Sequence, residues 1–374
     1  MKKLSFLLIV MIIWTSVYPK SANADDWYEE SQDYFTVYLS DGTVLFKIGR
    51  RIYVGDQYIS QDNKKYIVTQ VNTSKKIAIA KFVEDVELPD VSALLFNASV
   101  SAFAQDKDKT IGIYCTHTDE SYLPSDGKAS IKGKGGILDV ARKLGETLRN
   151  KGIKAIVDTT SHDPHDAGAY RRSRQTAFKI IKEHRPIALF DLHRDAVPKE
   201  EYITRLNNQE ITKVRIVVGR SNQNRQANEA FAYRIKAVAD KQYPGLIKDI
   251  FIGKGSYNQE LHPQSLLLEF GTYDHTKERA LRSASLFAEV VNMVLFGGTI
   301  RNEHTQQKEK VPQLAKESTG AEKGGILVLL FILIAGGGAF FYLSSGKEEL
   351  RVKIRNLRNL ILDVKESISS RFRK

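Results

Sequence analysis

Two side chains that can bind a metal stand three residues apart in the stretch IGIYCTHTDESY, residues 111–122. They are His117 and Glu120, and they follow an apolar run typical of a short buried strand. An imidazole nitrogen and a carboxylate oxygen at this spacing can bind one zinc ion. A histidine three residues before a glutamate is also common in polar turns, so a solvated turn is the alternative interpretation of the pair.

Two other predicted strands end in side chains of the same kind, at His193 and at Glu269. Functional groups of α/β sheets gather beyond the carboxyl ends of the strands, so we expect these side chains to meet the first pair. Two histidines and one carboxylate hold a catalytic zinc ion with one position open. Glu269 would then be the general base, taking a proton from the attacking water and passing it to the leaving amine. A structural ion pair with an arginine such as Arg194 is the alternative for Glu269.

The single cysteine, Cys115, lies two residues before His117. One cysteine excludes a disulfide within the chain. Its thiol could be a metal ligand, a nucleophile or a buried small hydrophobic group, and its place at the end of a predicted strand favours the last.

The net charge of +12 at pH 7 is concentrated at the two ends of the chain. The first 24 residues carry three basic groups and no acid, and residues 344–374 carry nine basic and four acidic groups. The 44 basic and 40 acidic residues between them give a net charge of only +4. This distribution argues against nucleic acid as a partner.

The chain divides into six predicted segments. They are a signal peptide at 1–24, a small β-rich domain at 25–104, a catalytic α/β domain at 105–299, a linker at 300–323, a transmembrane helix at 324–343 and a basic amphipathic tail at 344–374. The first segment has lysines, then an apolar run, then small residues before a cleavage point, although an uncleaved anchor is the alternative. The β-rich segment carries no motif with chemistry.

The fold class predicted for the catalytic segment is α/β, because strand and helix patterns alternate along it. Such alternation is typical of a mostly parallel sheet covered by helices on both faces. The predicted strands are 111–114, 153–157, 187–192, 214–218, 249–252 and 265–268, and the predicted helices are 136–150, 169–183, 222–242 and 277–295. In the β-rich segment strands are predicted at 34–39, 44–48, 66–71 and 77–82.

The run at 324–343 contains 20 uncharged residues. A helix of that length spans about 30 Å, the thickness of the hydrocarbon core of a membrane. Because the tail after it is more basic than the linker before it, we expect a single-pass protein of the cell membrane with an extracytoplasmic catalytic domain and a cytoplasmic tail. The tail is predicted to lie on the inner leaflet as an amphipathic helix, with packing against a cytoplasmic partner as the alternative.

Four ordered blocks of sequence between about 110 and 296 resemble the stage II sporulation protein P family. They are YxTHTxESY at 114–122, HD…GAYRRS at 162–173, DLHRDA at 191–196, and YNQEL followed by LLLEFGT at 257–272. The resemblance implies an amidase-like fold and a zinc-dependent peptidoglycan hydrolase related to the N-acetylmuramoyl-L-alanine amidases. It implies cleavage of the amide between muramic acid and the L-alanine of the stem peptide, and of peptide cross-links too.

By the same resemblance, His117 and His193 carry over as zinc ligands, Glu120 as the third ligand and Glu269 as the catalytic base. The chain departs from the family at two points. The family usually has histidine at the position of Cys115, which makes Cys115 a candidate substrate-binding or metal-supporting residue. The family is also usually anchored near its N-terminus, which leaves open whether this chain serves sporulation or another form of wall remodelling.

Further candidates lie near the predicted site. His162 and His165 form a competing metal pair; we expect His162 to bind substrate or orient a ligand, and His165 to be solvated. Tyr170 and Arg171 are candidates for contact with the anionic stem peptide, with helix surface residues as the alternative, and Arg194 is a further candidate for substrate binding or ligand support.

Two other functions fit the same residues. A metallo-endopeptidase or metallocarboxypeptidase acting on stem peptides would also use a His-x-x-Glu pair, a later histidine and a later glutamate. A non-catalytic wall-binding protein would carry a decayed site marked by Cys115.

Overall fold

The structure is a computed structural model that describes residues 33–92 and 109–297. These residues form thirteen strands, five α-helices and short 3-10 helices at Lys199–Glu201 and Gln259–Leu261. The strands are β1 Phe35–Tyr38, β2 Val44–Ile48, β3 Gln57–Ile59, β4 Lys64–Asn72, β5 Ile77–Asp85, β6 Thr110–Tyr114, β7 Lys154–Val157, β8 Ala188–Asp195, β9 Ile203–Leu206, β10 Gln209–Thr212, β11 Val214–Gly219, β12 Ile247–Gly253 and β13 Ser265–Thr272. The helices are α1 Leu123–Asp126, α2 Ile137–Asn150, α3 Ala169–His184, α4 Arg225–Gln242 and α5 Lys277–Phe296.

Eleven strands form one sheet in the order β2-β1-β5-β4-β3-β12-β11-β13-β8-β6-β7, and β9 and β10 form a separate hairpin. The prediction of a mostly parallel sheet is wrong, because five of its ten pairings are antiparallel: β1–β2, β4–β5, β3–β4, β3–β12 and β11–β13. Short turns join β1 to β2, β3 to β4 and β4 to β5, and such turns allow only antiparallel neighbours. A short connection from β12 likewise turns β13 back beside β11.

The segment at 33–92 is β-rich, as its alternating pattern indicates. Its strands extend the sheet of the catalytic segment rather than forming a sheet of their own, because β3 pairs antiparallel with β12 through Ile59 and Ile250. Phe46 on β2 stacks on Tyr58 with ring centroids 4.0 Å apart and also approaches Phe251 on β12. The sheet therefore coils until β2 lies over its central strands.

Side chains along each central strand alternate between two faces of the sheet. One face is covered by α2, α4 and α5 and carries apolar residues such as Ile113, Phe190 and Leu268. The opposite face is covered by α3 and by the coiled β1–β2 strands. Helices thus cover both faces, and the α3 face also carries His193 of β8 and Glu269 of β13, which belong to the candidate site.

Within residues 33–92 and 109–297, no helix is both long and apolar enough to cross a membrane. The predicted signal peptide, linker, transmembrane helix and basic tail lie outside these residues, and they stay predictions.

Candidate active site

The loop after β6 brings His117 and Glu120 together. His117 Nδ1 lies 3.2 Å from Glu120 Oε1, and both side chains are fully buried. The loop is held by a backbone bond from Ile137 N at the start of α2 to Glu120 O. Gly135 packs so closely that a Cβ there would collide with the carbonyl of Glu120. The spacing of His117 and Glu120 is therefore fixed by packing against the start of α2.

His193 on β8 completes this cluster. Its Nδ1 lies 3.5 Å from Glu120 Oε1, and its Nε2 lies 3.1 Å from Asp191 Oδ1. Asp191 precedes His193 by two residues and so shares its face of the strand. The Asp191 carboxylate is held in turn by the backbone N–H and the hydroxyl of Thr116, at 2.7 and 2.6 Å. Asp191 thus lies on the Nε2 side of the His193 ring, whereas Glu120 lies on the Nδ1 side.

The distances from Glu120 to His117 and to His193 are those expected of ligands on one metal ion. Two ligand atoms at about 2.0–2.1 Å from one tetrahedral zinc ion are about 3.3 Å apart. The Nδ1–Oε1 distances of 3.2 Å at His117 and 3.5 Å at His193 agree with that value. An imidazole lone pair and a carboxylate oxygen facing each other also require a proton or a cation between them. Arg194 N donates to Glu120 Oε2 at 2.9 Å, which fixes the other oxygen of the same carboxylate.

His165 is not solvated as predicted, because its side chain is only 12 % exposed and its ring stacks on His117 with centroids 3.8 Å apart. Potential ligand atoms of His165, His117 and Glu120 lie within 4.8 Å of one another, so His165 competes with His193 as the third ligand. Its Nδ1 contacts Asp119 Oδ1 at 3.0 Å, and its Nε2 is buried with no hydrogen-bond partner among the described residues.

Asp119 is the second acid of this loop. Burial alone would raise the pKa of Asp119, but hydrogen bonds from His165 and Ser130 and the charge of His165 lower it below its ordinary value. Asp119 is therefore ionised and holds His165 through Nδ1, which leaves the other ring nitrogen pointing away from the acid. His165 and Asp119 were not singled out as a pair by the sequence, since 46 positions separate them.

Glu269 lies beside His193. The two are direct partners in the register of the parallel strands β13 and β8, so their side chains point to the same face of the sheet. Glu269 does pair with an arginine, but with Arg50 rather than Arg194: Arg50 Nη2 donates to Glu269 Oε1 at 2.6 Å. Arg50 follows β2 and belongs to the segment in which the sequence indicates no chemistry.

Tyr170 contacts the cluster, whereas His162 binds residues around it. His162 Nδ1 donates to the carbonyl of Cys115, and its Nε2 contacts the hydroxyl of Thr176, both at 2.8 Å. Both ring nitrogens thus hold β6 against α3. The ring of Tyr170 lies edge-on to His117 at 5.6 Å and parallel to His193 at 6.3 Å.

The remaining candidates lie outside the cluster or support it. Arg171 is exposed on the first turn of α3. Arg194 is buried and donates from its guanidinium to the carbonyls of Ser121 and Ala129. The side chain of Cys115 is buried in the core under α2, on the face of β6 opposite to α3, and burial raises the pKa of its thiol well above the ordinary value. Cys115 is therefore a neutral core residue.

The sequence did not point to three supporting residues. Asp191 could have been found from the alternation in Asp-Leu-His, which puts it on the face of His193. Thr116 carries no signal beyond its place beside His117. Arg50 carries none at all, since 219 positions separate it from Glu269.

The sequence profile of the family described as Stage II sporulation protein P (SpoIIP) matches residues 51–292 of this chain. A curated relative, the Stage II sporulation protein P of Bacillus subtilis (strain 168), is 30 % identical over 201 residues. That alignment covers 49 % of this chain and 50 % of the relative. The chain therefore spans about half the length of the relative that it matches.

Among solved structures, the chain is similar to the CwlD amidase from Clostridioides difficile, solved in complex with the GerS lipoprotein, with 15 % identity and a TM-score of 0.34 over 50 % of this chain and 95 % of that one. It is also similar to the N-acetylmuramoyl-L-alanine amidase AmiC2 of Nostoc punctiforme, with 13 % identity and a TM-score of 0.31 over 49 % and 95 % of the two chains. Both TM-scores are low, so neither similarity bears on the activity of this chain.

Proposed function

The chain belongs to the stage II sporulation protein P family, and on that premise we propose that it is a zinc-dependent peptidoglycan hydrolase. The bond that it cleaves is the amide between N-acetylmuramic acid and the L-alanine of the stem peptide. One observation carries the proposal: Glu120 Oε1 contacts Nδ1 of both His117 and His193, and Glu269 is the partner of His193 in the register of β13 and β8. This is a ligand set of the type that hydrolytic zinc enzymes use, with a second glutamate next to it.

His117, Glu120 and His193 would hold the zinc ion. Asp191 lies behind His193 as Asp119 lies behind His165, and carboxylates in such positions orient metal-binding histidines. His165 is the competing ligand, and a site that also included His165 would have four protein ligands and no open position. When bound, zinc would supply Lewis acidity toward the amide carbonyl and toward the attacking water.

Glu269 would move the protons of the reaction. It would accept a proton from the attacking water and return it to the nitrogen of the departing L-alanine. A carboxylate that is held in one orientation next to the ligand set is suited to this transfer, because proton transfer requires hydrogen-bond distance to the reacting groups. Tyr170 lies over both histidines and would limit the access of bulk water.

A metallo-endopeptidase acting on the stem peptides would use the same residues, so the products decide between the two activities. The full chain is incubated with purified peptidoglycan in the presence of zinc, and the released products are separated and identified by mass. Intact stem peptides that begin with L-alanine support the amidase. Shortened or uncross-linked stems still attached to muramic acid support the peptidase, and no release from the zinc-loaded chain supports the non-catalytic wall-binding protein.

We also propose the setting of this activity. The chain would be anchored in the cell membrane by residues 324–343, with the catalytic domain outside the cytoplasm and the basic tail inside. Family membership supports a role in sporulation. A labelling reagent that does not cross the membrane should modify an engineered cysteine in the linker at 300–323 of intact cells, and should not modify one in the tail at 344–374.

A further inference from the structure

Arg50 lies just after β2 and contacts Glu269 on β13. Arg50 Nη2 lies 2.6 Å from Glu269 Oε1, and each side chain is 2 % exposed. A hydrogen bond between two charged groups is short and strong, and here it holds one oxygen of the carboxylate in place. Arg50 therefore fixes the orientation of the side chain to which the proposed reaction assigns proton transfer.

Arg50 also packs against an aromatic ring. Its guanidinium lies 5.1 Å from the centre of the Tyr257 ring, within the range of a cation–π contact. Tyr257 and Asn258 have φ angles of 53° and 57°, in the left-handed region. Two successive non-glycine residues in that region cost free energy, and such strain persists only where surrounding contacts maintain it.

The contacts that maintain this turn lead to the metal cluster. Asn258 Nδ2 donates to the carbonyl of Tyr170 and to the hydroxyl of Ser173, both at 3.0 Å. The ring of Tyr170 lies 5.6 Å from that of Tyr257 and 6.3 Å from that of His193. The Tyr257 ring, which contacts Arg50, thus packs against Tyr170 at the start of α3. Tyr170 in turn packs on the candidate ligand His193.

The backbone before Arg50 is fixed to the end of β8. Gly49 N donates to Asp195 Oδ1 at 2.7 Å, and Arg215 binds both Asp195 and the carbonyl of Lys47. A Cβ at Gly49 would lie 2.7 Å from the Cβ of Ala196, so only glycine allows this approach. The end of β2 is therefore held against Asp195, which lies two residues after His193 on β8.

From these contacts we infer that Arg50 is a positioning residue for Glu269, and that the N-terminal strands complete the active site. The inference rests on the proposed function, because it concerns the residue that moves the protons. It assigns a role in catalysis to a segment in which the sequence shows no motif with chemistry. Arg50 touches neither substrate nor metal in this role; it acts through the orientation of Glu269.

The test compares Arg50→Met and Arg50→Lys with Arg51→Met in the full chain. Arg51 is the matched control, because its guanidinium lies over the Tyr53 ring instead of at Glu269. The measurements are kcat and KM on soluble uncross-linked glycan strands, zinc bound per chain, and the circular dichroism spectrum. A misplacement of a catalytic group by about 1 Å can lower the rate about 100-fold.

We expect Arg50→Met to lower kcat about 100-fold with KM, zinc content and spectrum unchanged. Arg50→Lys should recover part of kcat, since lysine keeps the charge but not the planar fork, and Arg51→Met should match the wild type. Unchanged kcat in Arg50→Met overturns the inference but leaves the proposed function standing. A decrease in kcat that accompanies a loss of bound zinc or of folded protein has the same consequence. An inactive wild-type chain with zinc bound overturns the proposed function, and the inference with it.

Discussion

At the scale of single residues, neighbouring side chains and backbone groups hold the candidate ligands of the site. Asp191 is the clearest of these, because it contacts His193 Nε2 and receives two hydrogen bonds from Thr116. Glu120 is held in the same way through Arg194 N. The orientations of Glu120 and of the carboxylate behind His193 are thus fixed by hydrogen bonds within the chain.

Replacing Asp191 by Asn should weaken zinc binding about 10–100-fold, since loss of such a partner has that typical effect. The measurement is competition with a chelator of known zinc affinity, using the full chain. Asp139→Asn, which changes an exposed acid on α2, is the control and should leave the affinity unchanged. Wild-type affinity in the Asp191 variant would mean that His193 is not a ligand.

The two candidates for the third ligand are separated by a second pair of variants. His193→Ala should lose zinc, whereas His165→Ala should keep one zinc ion per chain, because the proposed ligands are His117, Glu120 and His193. Zinc content of the purified full chains is measured by atomic absorption. The reverse pattern would assign the metal to His117, Glu120 and His165 instead.

Cys115 should be inert, because burial raises the pKa of its thiol and the side chain packs under α2. We expect no alkylation of the folded chain by iodoacetamide at pH 8, and complete alkylation after unfolding. Cys115→Ala should keep hydrolytic activity and destabilise the fold by about 1 kcal/mol, as is typical of small core truncations. Rapid labelling of the folded chain would show that the thiol faces the site.

At the scale of elements, the polar face of the sheet depends on a buried ion network. Arg215 on β11 binds Asp249 on β12 through two nitrogens, at 2.6 and 2.9 Å, and Asp195 on β8 at 2.9 Å. Burial alone would raise the pKa of Asp249, but Arg215 and Lys248 lower it below the ordinary value. The network ties three strands and the end of β2 into one unit.

Removing Arg215 should therefore destabilise the whole fold. Arg215→Met leaves two buried carboxylates without their main partner, and breaking such a buried pair typically costs about 3–5 kcal/mol. The free energy of unfolding is measured with urea. Arg205→Met is the matched control, since the Arg205–Glu210 pair on the β9–β10 hairpin is exposed and such pairs contribute about 0–1 kcal/mol.

The elements with strong periodicity were predictable, and their pairing was not. The helix predicted at 277–295 is α5, Lys277–Phe296, because its apolar spacing is helical throughout. The three-residue strand β3 has no alternation long enough to detect, yet it is the strand that joins the N-terminal segment to β12. Sheet order depends on such long-range contacts, so the sequence indicated a parallel sheet where a mixed one forms.

The same reason limited the prediction of the site. His117, Glu120, His193 and Glu269 were singled out from the sequence because each closes or follows a predicted strand. The contacts of Arg50 with Glu269 and of His165 with His117 were missed, because they are set by the coiling of the sheet and by the path of a loop.

At the scale of the whole molecule, His275 should make stability depend on pH. Burial lowers the pKa of His275 to about 4, and the charges of Arg279 and Lys199 also lower it. Between about pH 6.5 and 4, the unfolded chain therefore binds a proton at this position that the folded chain does not. The stability that the folded chain gains from a neutral His275 is complete above about pH 6.5. It is lost as the pH falls toward 4.

The slope expected from His275 is up to about 1.4 kcal/mol per pH unit in that interval. His275→Asn removes the titrating group and keeps an acceptor for the hydrogen bond from Thr272 N. Urea unfolding of the full chains at a series of pH values should give a flatter curve for the variant. His184→Gln, a change on the surface of α3, serves as the control, and equal slopes in all three chains would contradict the prediction.

The most direct test of the central claim measures zinc content and product release in the same samples of Glu269→Gln and the wild type. Glutamine keeps the size of the side chain and can still accept a hydrogen bond from Arg50, but it cannot take a proton from water. We predict one zinc ion per chain in both proteins, with release of stem peptides from peptidoglycan at least about 100-fold slower in the variant. Release at the wild-type rate by zinc-loaded Glu269→Gln would contradict the assignment of Glu269 and the mechanism built on it.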